Sequence, residues 1–236
     1  MRVELTSEIS VQLVDAMGDD LSVARAAWVS TKGERAQDEA DPARVEGLIG
    51  YLMRNRHGTP FEQNSLTFLV RAPIFVFREW HRHRVGWSYN ELSGRYSKLE
   101  PRFYVPGPDR PLVNAGSSAH PDMAPGDVVQ YEAVARLLEE NAAEAYLRYE
   151  ELIEAGVANE VARMVLPVNV YSAMYATCNA RSLMHFLALR TDHPEAKFPS
   201  KPMWEIAVAA EAMEGHFAER FPITYRAFVE NGRVAP

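Results

Sequence analysis

The chain has one cysteine, Cys178, among 236 residues, so no disulfide can form within it. It also lacks an apolar run of bilayer length. The best candidate, Phe68 to Phe77, is broken by Arg71 and Pro73, and a spanning helix needs about 20 predominantly apolar residues. Residues Met1 to Glu8 are too polar for a secretory signal. Together these absences lead us to expect a cytoplasmic, reduced setting without membrane attachment. Positive charge is scarce as well. Against 32 acidic residues there are 25 basic ones, a formal net charge of −7, which argues against nucleic-acid binding by the surface at large. Two familiar phosphate cradles are missing: no G-x-G-x-x-G follows a strand pattern, and no G-x-x-x-x-G-K-[ST] occurs. A dinucleotide bound here would not sit on a Rossmann unit.

What is present is an ordinary globular composition, 47% apolar and 24% charged. The length suits a single domain spanning residues 1–236. Residues 3 to 14 alternate loosely as a first strand, and Asp19-Asp20 can cap a helix to about Ser30. Asp41-Pro42 marks another helix start, with Val45, Leu48, Ile49, Leu52 and Met53 as its apolar stripe. Leu66 to Val70 alternate as a strand. The spacing then predicts a helix from Ile74 to about Arg84, a loop over residues 85–94, and a short strand at Phe103 to Val105. Prolines and glycines make 106–126 a long surface loop. Helices are expected over Gln130 to Glu154, from an Asn159 cap to Leu166, over 180–190 behind an Asn179 cap, and near 202–219 and 222–230. An extended segment is expected over Asn169 to Thr177. This is an α+β pattern, helix-rich, with one modest, mostly antiparallel sheet.

Arg78, Arg82, Arg84, Arg95 and Arg102 fall within 25 residues, interleaved with Trp80, Trp87, Tyr89 and Tyr96. A solvated helix face accounts for such a charge run. So does a site for an anion, because guanidinium forks match phosphate oxygens and flat aromatics suit a heterocycle. Single-stranded nucleic acid fits the same composition. His81 and His83 stand two apart, and no nearby carboxylate or thiolate completes a metal spacing, so no metal site is expected. Cys178, flanked by small residues, reads as a core residue, although its place before a helix is one where a thiol pKa can fall. Ser88 and Ser93 lie outside any nucleophile elbow. In a second basic stretch Arg181 and His185 are four apart and share a helical face. Arg190 closes that helix, where its charge suits the dipole.

At these two stretches the chain closely resembles the flavin-dependent thymidylate synthases. Arg82-His83-Arg84 and Ser88-x-Asn90-x-x-Ser93-x-Arg95 match the family signature, with three residues, Val85-Gly86-Trp87, where the signature has two. His57-Gly58-Thr59-Pro60-Phe61-Glu62, Arg163 to Pro167 and Asn179 to Leu183 extend the match in the same order, and Thr191 to Met203 looks longer than usual. The resemblance implies an α+β homotetramer with active sites shared between subunits. It implies bound FAD, and conversion of dUMP to dTMP with methylenetetrahydrofolate as carbon donor and NADPH as reductant. It assigns FAD contacts to His57, Thr59, Arg82, His83, Arg84, Glu91, Asn179, Ala180, Arg181 and His185, the last an asparagine in many relatives. It assigns dUMP contacts to Glu79, Trp80, His81, Arg82, Glu91, Leu92, Ser93, Gly94, Arg95, Arg163 and Arg190, with Arg190 activating the pyrimidine. No covalent enzyme intermediate is needed, which is consistent with an idle Cys178. The competing readings are a nucleotide- or nucleic-acid-binding module without catalysis and a metal-dependent hydrolase built on His81 and His83.

Overall fold

Side-chain caps set the starts of four helices in the computed structural model, which describes residues 2–118 and 121–236. In chain order the elements are β1 (Glu4–Thr6), β2 (Ser10–Met17), α1 (Asp20–Lys32), α2 (Pro42–Arg54), β3 (Ser65–Pro73), α3 (Ile74–Trp80), β4 (Trp87–Glu91) and β5 (Arg102–Tyr104). They continue with β6 (Val113–Asn114), β7 (Met123–Ala124), α4 (Val128–Glu154), α5 (Asn159–Ala162), β8 (Tyr171–Cys178), α6 (Ala180–Arg190), α7 (Trp204–Arg220) and α8 (Pro222–Glu230). Asp19 accepts from Ser22 N at 2.9 Å in a capping box, Asp127 from Gln130 N at 2.8 Å, and Asn179 from Ser182 N at 2.9 Å. Each bond satisfies an amide that the helix itself leaves without a partner, and such a cap is worth about 1 kcal/mol. The class is the expected one, helix-rich α+β with a small, mostly antiparallel sheet.

Four local expectations are corrected. The helix carrying the basic stretch stops at Trp80 rather than Arg84, and the Tyr89 hydroxyl donates to the His83 carbonyl at 2.5 Å in place of a helical amide. Residues 85–94 are not all loop: Trp87 to Glu91 form β4, with Trp87, Tyr89 and Glu91 half-buried and Ser88 and Asn90 exposed. Asn159 lies inside α5, whose N-cap is Ala158 without a side-chain bond. The long loop over 106–126 contains the short antiparallel pair β6 and β7. His120, within that loop, lies outside the described residues.

The chain divides into two units, each discontinuous in sequence. One comprises the residues up to Ile9, Arg71–Trp80 and Glu91–Met174; the other comprises Ser10–Val70, His81–Asn90 and Tyr175–Pro236. In the first, β1 runs parallel to β5, and Phe103, Tyr146, Tyr149, Ala142, Ala162 and Val170 form a core cluster. Two tyrosines of α4 also fasten the strand-free segment before β5. Tyr146 donates its hydroxyl to Leu99 O at 2.9 Å, and Leu99 N donates to the Tyr149 hydroxyl at 3.2 Å. A ring of this size contributes about 2 kcal/mol when buried, so this segment is firmly held just beyond Ser93–Arg95.

In the second unit most of a four-stranded sheet, ordered β2-β3-β8-β4, lies with the helices. The Thr67 and Thr177 hydroxyls meet at 3.0 Å across β3 and β8. Helix α6 packs on α7, and α7 packs on β2 and α8. Leu183, Met184, Phe186 and Leu187 of α6 are fully buried, as are Met213 and Phe217 of α7. That buried face leaves the other side of α6 to Arg181 and His185, while Arg190 stands one turn beyond Phe186 at the helix end.

Candidate active site

Helix α6 starts where two side chains prepare it. Asn179 caps it, and Asn64 Oδ1 accepts from Ala180 N at 2.7 Å. Arg181 then stands in its first turn. Its Nη1 donates to Glu62 Oε1 and its Nε to Pro236 O, each at 2.6 Å. The guanidinium lies close against Gly58: a Cβ there would come within 2.5 Å of it, so any larger residue would push Arg181 out of this position.

The three-residue link Val85-Gly86-Trp87 docks on the same helix. Ser182 Oγ donates to Val85 O at 3.0 Å. Gly86 has φ +69° and lies so close to Ser182 that a Cβ would fall 2.1 Å from its Oγ. The link is a tight turn seated on α6, and it delivers Trp87 into β4, where its ring stacks on Tyr89 at 5.7 Å.

Arg190 occupies the last turn of α6, the dipole-favoured position. Its Nε donates to His83 Nε2 at 3.0 Å. His83 therefore accepts at that nitrogen and must be neutral. Its pKa is lowered to about 4 by burial first, then by the Arg190 charge and His185. The ring packs edge-on to Phe186 at 4.8 Å. His185 is likewise pushed down, by burial and then by Arg181 and Arg56.

Arg82, His83, Arg84, Arg181 and His185 line one cavity of about 350 Å³ together with Glu62, Val85, Trp87 and Ser182. His57 and Thr59 line a different and larger one, about 860 Å³, walled by α1 and α2 through Arg25, Ser30, Tyr51 and Leu52. Tyr51 and His57 face each other there at 5.7 Å. Seven of the ten residues expected to hold FAD thus fall into two groups rather than one, and Glu91, Asn179 and Ala180 line neither cavity. His81 belongs to neither cavity lining and packs its ring against Tyr89 at 5.1 Å. Among the described residues no three His, Cys, Asp or Glu side chains stand together as a metal cluster.

The first unit gathers another set. Ser93 O accepts from Tyr96 N and Ser97 N at 3.1 and 3.2 Å, folding Ser93-Gly94-Arg95 into a turn. A Cβ on the buried Gly94 would meet Arg163 Cδ at 3.2 Å, which places the Arg163 stem against that turn. Arg95 Nε donates to Glu160 Oε2 at 2.9 Å, both side chains about half exposed. Leu92 is exposed, Glu91 ends β4, and Glu79 is the next-to-last residue of α3. Trp80 is fully buried, so its side chain packs the core of its unit. Sequence reasoning missed Glu160, Glu62 and the residues beyond α8. Glu160 left a signal, since it stands one turn before Arg163 in a short helix that exposes its acidic start.

Cys178 closes β8 at 3% exposure, and burial raises its thiol pKa well above the usual value. A thiol kept protonated in this way is a poor nucleophile.

The model of the family described as thymidylate synthase complementing protein matches residues 12–223. A flavin-dependent thymidylate synthase of Streptomyces coelicolor is 56% identical over 237 residues, covering 100% of this chain and 96% of that relative. One of Tropheryma whipplei is 46% identical, covering 98% and 96%. Among solved structures, the UMP/dUMP methylase PolB of Streptomyces cacaoi bound with 5-Br UMP superposes with a TM-score of 0.93 at 47% identity, covering all of both chains. With the family model spanning both units and relatives matched end to end, the chain belongs to the flavin-dependent thymidylate synthase family.

Proposed function

We propose that the two arginine groups divide the work of thymidylate synthesis, the α6 group serving the flavin and the pyrimidine and the Ser93–Arg95 group serving the nucleotide phosphate. The reaction is the reductive methylation of dUMP to dTMP, with FAD as cofactor, methylenetetrahydrofolate as carbon donor and NADPH as reductant. The whole of 1–236 is read as one catalytic domain, a reading supported by a chain that passes between the two units five times. A cytoplasmic homotetramer with active sites shared between subunits is part of the same proposal. No helix among the described residues is long and apolar enough to cross a membrane.

The residues present fit FAD. A diphosphate needs cationic donors, and the 350 Å³ cavity gathers Arg82, Arg84 and Arg181 with the neutral His83 and Ser182. Asn179 and Ala180 begin the helix that carries Arg181, His185 stands one turn further on, and Glu91 ends the neighbouring strand. His57 and Thr59 would meet FAD from the second cavity. Bound FAD supplies hydride chemistry that no side chain can perform.

The chain's own contribution is charge and orientation. Arg95 and Arg163 would take the dUMP phosphate in charge-assisted, forked bonds, with Ser93 and the Gly94 amide positioning it. Leu92, His81, Arg82 and Glu79 would line the remainder, and Trp80 would contribute through packing and its main chain. Arg190 would stabilise negative charge as it develops on the pyrimidine ring, making C5 a better nucleophile. The single observation that carries this role is the Arg190–His83 bond. That bond fixes the guanidinium at the end of α6.

The test is a flavin spectrum followed by NADPH oxidation with and without dUMP, with dTMP as the product assayed. Yellow protein and dUMP-dependent dTMP formation are expected. Colourless protein that takes up no added FAD would overturn the reading. Because PolB is named for UMP as well as dUMP, UMP is the comparison substrate, and turnover of UMP alone would move the substrate assignment.

A further inference from the structure

Helix α6 carries Arg181 at one end and Arg190 at the other, and the residues after α8 are bonded to both ends of it. Near Arg190, the Arg233 guanidinium is 2% exposed. Its Nη1 donates to Glu214 Oε1 at 2.5 Å, and its Nη2 donates to Glu214 Oε2 and to Thr191 Oγ1, both at 2.9 Å. Thr191 in turn donates its hydroxyl to Leu187 O at 2.7 Å, in the last turn of α6. Near the other end, Pro236 O accepts from Arg181 Nε at 2.6 Å. Between these points Ala235 is buried, and Asn231 Nδ2 donates to Val234 O at 3.1 Å.

A buried ion pair is weak evidence for stability alone, because apolar residues of similar volume do as well. Its best-attested use is to fix register. Here the register fixed is that of the segment ending on Arg181. The Pro236 carbonyl is also an unusual partner for a ligand-binding arginine. It orients the guanidinium, leaving Nη2 and the outer face open toward an anion. The exposed Glu62 carboxylate gives only a screened second contact.

We propose that residues 233–236 form a positioning strap. Arg233 locks it against Glu214 and the end of α6, and the Pro236 main-chain oxygen holds Arg181 in the conformation that receives the anionic part of FAD. The proposal rests on the reading of Arg181 as a flavin ligand. It names Arg233 as a positioning residue that touches neither substrate nor cofactor.

The experiment is a double-mutant cycle on FAD affinity, read as flavin fluorescence released on dilution of the holoprotein, with thermal unfolding alongside. The variants are removal of residues 235–236, Arg181→Ala, and the two together. The bond at stake involves a charged donor, so each single change should weaken FAD about tenfold. The combination should be no weaker than Arg181→Ala alone. Equal losses in both backgrounds would mean that the segment acts elsewhere, and the proposal would fall; so would an unchanged affinity after the removal. If Arg181→Ala itself leaves FAD affinity unchanged, the underlying flavin assignment is what fails. Arg233→Met, which preserves packing volume, provides a second variant should the shortened chain not fold. It should also weaken FAD in the wild-type background and do nothing in Arg181→Ala.

Discussion

The arginines of α6 and Arg95 of the first unit are held differently. Arg181 lies against Gly58, where the Pro236 main-chain oxygen and the Glu62 carboxylate both accept from it, and Arg190 donates to a neutral imidazole. Arg95 leans on Glu160 in a half-exposed ion pair, on a turn built from Ser93. Two acceptors on one guanidinium, or an imidazole acceptor, fix its geometry, which suits groups that must act on a bound ring or cofactor. An exposed carboxylate partner is worth at most about 1 kcal/mol. A phosphate dianion can displace it, which suits a group that captures and releases nucleotide.

The largest effect expected from this contrast is at Arg190. Arg190→Ala should lower the rate of dTMP formation about 10²–10³-fold, the range for losing one preorganised electrostatic donor, while FAD stays bound. Product assay together with the flavin spectrum checks both halves. Loss of flavin instead would place Arg190 with Arg181 in cofactor binding and erase the distinction between the two ends of α6. Next comes Arg163→Ala, which should raise the KM for dUMP about 10–100-fold, as expected for a charge-assisted contact, with a smaller change in kcat. A fall in kcat at unchanged KM would contradict a capture role.

How much of this was legible in the sequence differs between the two regions in the same sense. Helix α6 could be read to the residue because an Asn cap, an apolar face and a terminal arginine are all local signals. The motifs identified the Ser93 turn and Arg163 as functional, but their proximity depends on Gly94 meeting a side chain about 70 residues away. Strand β4 was misread because Gly86 and Gly94 frame it as a loop, although Trp87, Tyr89 and Glu91 alternate with Ser88 and Asn90. The Val85-Gly86-Trp87 link became intelligible only when Ser182 was seen beneath it. Arg233 was invisible: a lone arginine after a glycine near a polar helix end carries no sign that it is buried, because its partners Glu214 and Thr191 come from other elements.

The brace at Arg190 also makes a pH prediction. Folded His83 has its pKa near 4, against an ordinary 6.5. Above 6.5 both folded and unfolded chains carry it neutral, and its contribution to stability is complete. As pH falls through that window toward 4, the unfolded chain binds a proton that the folded one resists, so stability drops. His83→Gln keeps an acceptor for Arg190 and removes the titration. Its melting temperature should therefore fall less between pH 7 and 4.5 than that of the wild type, and parallel falls would show that another group is responsible. His185, lowered in the same direction, remains in both proteins and cancels in the comparison.

A smaller effect is expected on the other side. Glu160→Gln frees Arg95 of its carboxylate without removing the hydrogen-bond acceptor. The KM for dUMP should fall a few-fold, up to about fivefold if the pair is worth 1 kcal/mol, and the effect should shrink in high salt. A raised KM would mean that Glu160 positions Arg95 rather than competes for it, and the first unit would then be braced like α6.

The smallest effect belongs to the residue between these designs that uses neither. Cys178 directly precedes the Asn179 cap, close in sequence to Arg181, yet it is buried with its thiol held protonated. If charge placement by α6 is the whole of this region's contribution, Cys178→Ser should change kcat and the KM for dUMP by less than about twofold. Stability should fall by about 1–3 kcal/mol, because a buried hydroxyl costs more to desolvate than a thiol. Activity per folded, flavin-loaded protein separates the two effects. A rate that disappears while folding and flavin persist would return the thiol to the chemistry, and charge placement by α6 would then not be the whole account.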